Sequence, residues 1–173
     1  MQALQERKST REFSSGELPS QVLSDLLWAA YGINRPETGQ RTAPSAKNMQ
    51  EIDIYVAKAD GLYLYDAKAA MLIPILAQDV RSLTGTQPFV REAALNLIFV
   101  ADFLKMGALS MQQREFYAAT DTGFISENVY LFCASAGLGT VVRHWIEQPA
   151  LAKAIKLKSH QKIILAQTVG YPK

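Results

Sequence analysis

Several features are scarce in this 173-residue sequence, and each scarcity excludes a class of protein. There is one cysteine, Cys133, so no internal disulfide can form and the fold does not depend on oxidation. The two histidines, His144 and His160, lack the spacing of metal ligands, which argues against a zinc site. No apolar run approaches the ~20 residues that a bilayer-spanning helix needs, so we expect no integral membrane protein.

The charge of the chain is also low. A formal net charge of +2, carried mostly by scattered Lys and Arg, does not favour nucleic acid as a partner. Apolar residues make up 49% of the chain, which predicts a globular protein, and the length suits one domain over residues 1–173. Met1–Arg7 has no apolar run typical of a signal peptide. The cytoplasm is therefore the expected compartment, while a removed leader and a periplasmic location stay open.

Hydrophobic periodicity predicts a mixture of helices and strands. A helix should begin at Pro19–Ser20 and end at Gly32, and Asp60-Gly61 should be the turn of a hairpin. Ala93–Ala101 is almost wholly apolar, as in a central strand covered on both faces. Further helices are expected at Phe116–Ala136, at Pro149–Leu157 and in two stretches of Ala67–Leu83 broken near Pro74, and further strands at Ile52–Val56, Leu62–Tyr65, Thr140–Val142 and Ile163–Val169. The sum is an α+β domain with a mostly antiparallel sheet and long helices.

The helix predicted at Phe116–Ala136 is apolar on nearly all sides. Such a helix has to be buried in a core or at a subunit interface. A small single domain offers little surface to cover it, whereas pairing with its twin would do so. The sequence therefore predicts a homodimer.

Three segments could carry chemistry. If Arg7–Arg11 is extended, Arg7, Ser9 and Arg11 point the same way, and two guanidinium groups beside a hydroxyl suit a phosphate. The same residues would also be found in a basic surface that is simply exposed to solvent. Pro44–Asn48 offers small residues and the amide of Asn48 to a flat ligand, or it is an ordinary turn. Ala136–Arg143 follows the long helix and could present backbone N–H groups, although a helix cap alone explains Gly137.

Known catalytic motifs are not found. Neither a Rossmann fingerprint nor a P-loop is present, and no Gly-x-Ser-x-Gly elbow accompanies His144. Cys133 lies within the apolar helix and is expected to be an inert thiol. An enzyme without its own acid–base residues takes its chemistry from a cofactor.

Taken together, these segments resemble the nitroreductase family. The resemblance rests on R-x-S-x-R-x-F at Arg7–Phe13, P-S-A-x-N at Pro44–Asn48, G-L-G at Gly137–Gly139 and V-G-Y-P at Val169–Pro172. The stretches GLGTVVRHWI (137–146) and GLYLYD (61–66) are similar to the short branch related to azoline oxidases. The resemblance implies the nitroreductase fold, an intertwined homodimer and FMN bound between the two subunits.

The resemblance also implies roles for particular residues. Arg7, Lys8 and Ser9 would hold the FMN phosphate, and Arg11 would approach the N1–O2 edge of the flavin ring. Pro44, Ser45, Ala46 and Asn48 would come from the other subunit to the ring. Gly139 would also bind the cofactor, and the backbone of Val141, Val142 and Arg143 would lie near N5 of the flavin. Relatives carry basic phosphate ligands beyond the G-Y-P, whereas this chain ends at Lys173, so Lys173, Arg143 or another basic group would replace them.

The implied activity is hydride transfer from NADH or NADPH, through FMN, to an electron-poor small-molecule acceptor such as a nitroaromatic or a quinone. Both substrates would use the same space in turn, and no side chain is required as a catalytic acid or base. Alternatives remain open. The chain could be a non-catalytic flavin sensor or storage module, a structural protein that has lost the cofactor, or an oxidase of peptide heterocycles in a larger complex.

Overall fold

A computed structural model describes the whole chain from Met1 to Lys173. The helices are α1 (Gln2–Glu6), α2 (Ser20–Tyr31), α3 (Phe89–Glu92), α4 (Met111–Ser135) and α5 (Gln148–Ala154). The strands are β1 (Ile33–Arg35), β2 (Gln40–Arg41), β3 (Ile52–Ala57), β4 (Leu62–Asp66), β5 (Met71–Leu76), β6 (Leu95–Asp102), β7 (Gly139–Arg143) and β8 (Gln161–Gly170). Short 3-10 turns occupy 46–48, 81–84 and 103–106.

Six of the strands form one antiparallel sheet in the order β5-β4-β3-β6-β8-β7. The central strand β6 has the alternation expected of a strand covered on both faces. Leu97 and Phe99 belong to the large core under α2 and α4, whereas Ile98 and Val100 pack in a second core with Leu151 of α5. The predicted central strand and the α+β class with an antiparallel sheet are therefore confirmed.

Helix α4 begins five residues earlier than predicted. Ser110 and Gln113 form a reciprocal capping box there, in which each side chain bonds the backbone N–H of the other residue. Apolar periodicity did not predict this start because the first turn of the helix is mostly polar. The helix ends at Ser135, and Gly137 follows with a positive φ of 67°, as its position after the helix predicted.

The segment 67–83 differs from the prediction of two helices. Met71–Leu76 is strand β5, which pairs with β4 at the edge of the sheet, and only a single 3-10 turn follows at Arg81–Thr84. Pro74 is compatible with this place because one side of an edge strand needs no hydrogen-bond donors. The helical prediction was wrong because a short apolar run has no period that separates a helix from a strand.

The glycine that ends α2 also differs from a simple cap. Gly32 is extended, with φ −70°, so it does not need the left-handed conformation. A Cβ atom at Gly32 would lie 2.5 Å from Cδ1 of Trp28, which leaves no room for a side chain. The chain then forms the small β1–β2 hairpin inside the segment that was expected to be a loop.

No helix of the structure combines the length and the apolar character needed to cross a bilayer.

Candidate functional site

The cationic N-terminal segment lies along the free edge of β7. The backbone N–H of Thr10 donates to the carbonyl oxygen of Thr140 at 2.9 Å. Gly139 permits this approach, because a Cβ atom there would lie 2.8 Å from Cγ2 of Thr10. Further along, Phe13 forms an antiparallel bridge with Pro172. The structure thus brings together two of the three segments that the sequence singled out.

Tyr130 of α4 joins these two segments. Its hydroxyl oxygen lies 2.9 Å from Oγ of Ser9 and accepts the backbone N–H of Val142 at 3.0 Å. The guanidinium carbon of Arg7 lies 5.2 Å from the centroid of the Tyr130 ring, which is within cation–π range. Tyr130 was not identified from the sequence. The one feature that could have indicated it is its hydroxyl group, which lies in an otherwise apolar stretch of the helix.

The positive charges of the N-terminal segment are free of acidic partners. The structure contains six ion pairs, and none of them includes Arg7, Lys8 or Arg11. Lys8 and Arg11 are exposed and Arg7 is half-buried. Three unpaired cations beside a hydroxyl can bind a phosphate group through charge-assisted hydrogen bonds.

The Pro44–Asn48 segment is held in a strained backbone conformation. Lys47, Asn48 and the nearby Gln50 have positive φ values of 52°, 53° and 50°. Such values cost energy in residues other than glycine and persist only where the surroundings enforce them. Here the N–H of Ala46 donates to Oδ2 of Asp121 at 2.8 Å, and the N–H of Gln50 donates to Oγ of Ser45 at 3.0 Å. We call residues 44–50 the carboxylate-held loop.

A buried acidic pair lies beneath this loop. Glu51 is fully buried and neither of its carboxylate oxygens has a hydrogen-bond partner. Burial, reinforced by the charge of Asp121, raises the pKa of Glu51 to about 7. Burial also raises the pKa of Asp121. The hydroxyl of Tyr31 is buried in the same cluster, again without a partner, and burial raises its pKa as well.

The carboxylate-held loop and the N-terminal segment contact α4 at separate places. The loop contacts Asp121 and the N-terminal segment contacts Tyr130, nine residues further along the helix. At the rise of an α-helix these positions are about 13 Å apart. Within one chain, the Pro44–Asn48 segment therefore lies apart from the N-terminal segment and the segment at β7.

The buried side chain of Arg143 forms its hydrogen bonds with residues outside the N-terminal segment. Its guanidinium donates to Oδ1 of Asn96 at 2.6 Å, to Oγ1 of Thr168 at 2.8 Å and to the carbonyl oxygen of Thr84. No carboxylate pairs with it, and burial lowers its pKa to about 10, so it remains charged at neutral pH. That this side chain completes a phosphate site stays a prediction, which would require it to leave these partners. The predicted role of its backbone stays a prediction.

Lys173 is also engaged elsewhere. Its Nζ lies 3.3 Å from Oε2 of Glu92, and it lines a cavity of about 450 Å³ together with Phe13, Ser15 and Arg81. The structure does not bring its ammonium group to Arg7 and Ser9. Its place in a phosphate site stays a prediction, which would require the Glu92 contact to break.

Other reactive groups give no second site. Cys133 is buried, and burial raises the pKa of its thiol to about 12, as expected for an inert core cysteine. No group of three or more His, Cys, Asp and Glu side chains is arranged to hold a metal ion.

Comparison with known proteins decides the family. The model of the nitroreductase family matches residues 4–171. The chain belongs to the nitroreductase family. The resemblance based on the sequence motifs is thereby confirmed, and so is the nitroreductase fold.

Individual relatives agree with this assignment. A protein of Methanocaldococcus jannaschii that is provisionally named a nitroreductase is 29% identical over 169 residues, covering 92% of this chain and 85% of its own length. The crystal structure of a provisionally named nitroreductase of Ralstonia eutropha is 47% identical, with a TM-score of 0.95 over 100% of this chain and 82% of that one. The chain is thus an oxidoreductase with the nitroreductase fold.

Two more distant structures share the fold alone. One is from the microcin synthetase McbBCD complex of Escherichia coli with truncated pro-MccB17 bound, at 19% identity and a TM-score of 0.85 over 97% of this chain and 70% of that one. The other is the NADPH:FMN oxidoreductase of Vibrio harveyi in complex with NAD⁺, at 17% identity and a TM-score of 0.72 over 99% and 67%.

Proposed function

We propose that this member of the nitroreductase family binds FMN and transfers hydride from NADH or NADPH to an electron-poor small-molecule acceptor, such as a nitroaromatic or a quinone. The observation that carries the proposal is the unpaired cationic segment Arg7–Arg11, which lies along β7 and is joined to it through Tyr130. When bound, FMN supplies the redox chemistry, accepting hydride from one substrate and donating it to the next.

The residues fit the two ends of such a cofactor. Arg7, Lys8 and Ser9 would bind the phosphate, since their positive charges are free of acidic partners. Arg11 would lie at the N1–O2 edge of the ring, where a fixed positive charge stabilises a developing anion. The edge of β7 from Gly139 to Arg143 would follow the ring, with the backbone of Val141 and Val142 near its reactive nitrogen.

A homodimer is part of the proposal because one chain lacks a complete site. The partner subunit would supply Pro44, Ser45, Ala46 and Asn48 to the ring. This accounts for the distance of about 13 Å along α4 between Asp121, which holds their loop, and Tyr130, which holds the N-terminal segment. Exposed aromatic side chains support an interface: Phe116 and Phe124 of α4 are 66% and 46% exposed, and Trp145 is 71% exposed. Large exposed aromatics are typical of surfaces that another protein covers.

The nicotinamide donor is proposed from the fold and from one structural neighbour. The Vibrio harveyi enzyme is named for NADPH and FMN, and its structure contains NAD⁺. No side chain of the present site is placed as an obligatory acid or base, so we name no catalytic residue. The role of this chain is to bind, to orient and to supply fixed positive charge.

The test is the absorbance spectrum of the purified protein before and after anaerobic addition of NADH or NADPH. We expect bound FMN, or binding of added FMN, and bleaching of the flavin bands by at least one donor. Bands that persist with both donors would favour a flavin carrier or an enzyme with another reductant. A protein that neither contains nor binds FMN would contradict the proposal.

A pair of arginine variants tests the site within the proposal. Arg7→Gln should weaken FMN binding by about tenfold, the effect of losing one charge-assisted contact of about 1.4 kcal/mol. Arg91→Gln is the matched control, because Arg91 is exposed and makes no side-chain hydrogen bond or ion pair in the structure. Equal affinities of the two variants would remove Arg7 from the phosphate site.

A further inference from the structure

We propose that Glu51 and Asp121 share one proton at neutral pH, and that loss of this proton releases the carboxylate-held loop and weakens the flavin site. The inference rests on the proposed function, because the loop is the segment that would contact the flavin of the partner subunit. It makes Glu51 and Asp121 positioning residues, which act through the loop and touch neither flavin nor substrate.

The first step of the argument is burial without a counter-charge. Glu51 is 0% exposed and Asp121 is 2% exposed, yet neither forms an ion pair. Two ionised carboxylates in contact away from water repel each other and lose their hydration. A single proton between them removes the repulsion and gives each group a hydrogen bond.

The second step concerns the position of the proton. Asp121 already accepts the N–H of Ala46, which favours its ionised form, whereas both oxygens of Glu51 lack a donor. The proton therefore resides on Glu51, which donates to Asp121. A raised pKa of Glu51, about 7, agrees with this arrangement, since burial and the neighbouring Asp121 charge both favour the protonated acid.

The third step excludes a nearby cation as the compensating group. Lys105 is the basic residue that acts on Glu51, but its Nζ bonds Oδ1 of Asp53 at 2.7 Å. Arg41 faces the same cluster from β2, with its guanidinium over the Tyr31 ring at 4.3 Å and its Nε bonded to Oε1 of Gln50. Tyr31 faces the pair from α2 as a neutral phenol, because burial raises its pKa.

The last step links the proton to the loop. The left-handed conformations of Lys47, Asn48 and Gln50 are strained, and contacts with the surrounding chain have to enforce them. One of these contacts is the hydrogen bond from Ala46 to Asp121. When Glu51 ionises, the pair has to separate or admit water, so the Asp121 carboxylate shifts and the loop loses this anchor.

The experiment measures the FMN dissociation constant by quenching of flavin fluorescence from pH 6 to pH 8.5. The wild-type protein is compared with Glu51→Gln, whose amide can donate to Asp121 at every pH. The phosphate of FMN titrates near pH 6 in both proteins, so the ratio of the two dissociation constants isolates the effect of Glu51. We expect this ratio, wild type over variant, to rise about tenfold over this range. A ratio that does not change with pH would overturn the inference.

Two further variants serve as an alternative reference and as a control. Asp121→Asn removes the other carboxylate of the pair, and the ratio of its FMN dissociation constant to that of Glu51→Gln should not change with pH. If Glu51→Gln does not fold, Asp121→Asn replaces it as the reference for the wild type. Glu127→Gln makes the same chemical change at an exposed position of α4 and should follow the wild type.

A readout without flavin separates this inference from the proposed function. In ¹⁵N-labelled protein the Ala46 amide resonance should titrate with a midpoint near pH 7 in the wild type and not in Glu51→Gln. Absence of FMN binding in every protein would overturn the proposed function, and the Ala46 titration would then decide the inference alone. An Ala46 resonance that does not move between pH 6 and pH 8.5 would overturn the inference even if FMN binds.

Discussion

The hydroxyl of Tyr130 lies 2.9 Å from Oγ of Ser9, and this contact fixes the cationic N-terminal segment to the long helix α4. The same hydroxyl accepts the N–H of Val142, so one side chain sets the distance between the proposed phosphate site and the strand beside the proposed ring site. A long-range contact of this kind determines whether separate sequence motifs act as one site.

Tyr130→Phe should weaken FMN binding by about 5- to 30-fold. The change removes two hydrogen bonds worth about 1 kcal/mol each, while the ring beneath Arg7 stays in place. Titration of FMN fluorescence measures the effect. Tyr117→Phe is the matched control, since Tyr117 is half-buried on the same helix and makes no side-chain hydrogen bond. Similar affinities for both variants would show that Tyr130 does not position the segment.

Gly139→Ala should displace the N-terminal segment from the edge of β7. The new Cβ atom would lie 2.8 Å from Cγ2 and 2.9 Å from Cβ of Thr10, and such overpacking costs about 1–3 kcal/mol. We expect a lower free energy of unfolding in urea and weaker FMN binding. Adding Thr10→Gly removes both contacting atoms and should restore part of the affinity.

The control for this prediction is Gly123→Ala. A Cβ atom at Gly123 meets nothing within 4 Å, and alanine is the better helix former by about 1 kcal/mol. This variant should not lose stability. If Gly139→Ala behaves like Gly123→Ala, the close approach to Thr10 does not matter.

Arg143→Lys should lower the free energy of unfolding by about 2–4 kcal/mol. The guanidinium reaches Thr84, Asn96 and Thr168 at once, and a single ammonium group at the end of a straight chain cannot replace this fork while it stays charged and buried. Urea unfolding checks the result against Arg91→Lys, where the arginine is exposed and little change is expected. A loss below about 0.5 kcal/mol would mean that the network is not needed.

Local patterns predicted much of the fold because the information was local. The apolar run at Ala93–Ala101 and the alternation in Ile52–Val56 correspond to β6 and β3. Met71–Leu76 was mistaken for helix because its strand character depends on pairing with β4, which no short window contains. The capped start of α4 was missed for a different reason, since a polar first turn carries no apolar period.

The candidate site was predictable only in its separate segments. Motifs identified Arg7–Arg11, Pro44–Asn48 and Ala136–Arg143, but the residues that connect them come from distant parts of the chain. Tyr130 is 121 positions from Ser9, and Asp121 is 75 positions from Ala46. Such contacts follow from the packing of α4 across the domain, and composition or periodicity within one segment cannot reveal them.

The free energy of unfolding should itself depend on pH through Glu51. The pKa of this carboxyl is about 7 in the folded protein, against 4.5 when it is unperturbed. The folded state therefore binds more protons between these values, so stability is fully present below about pH 4.5 and is lost as the pH rises through about 7. The loss should amount to about 3–4 kcal/mol, since each unit of pKa shift corresponds to about 1.4 kcal/mol.

Urea unfolding of the wild type and of Glu51→Gln between pH 4.5 and pH 8.5 checks this dependence. Other groups titrate in both proteins, so the quantity of interest is the difference between their free energies of unfolding. The variant should become more stable relative to the wild type as the pH rises, and the difference should level off above about pH 8 because Glu51 is then ionised in both states. A difference that stays constant would mean that Glu51 ionises in the folded protein as easily as in water. In that case the carboxyl would have found a partner or a water molecule that compensates its charge.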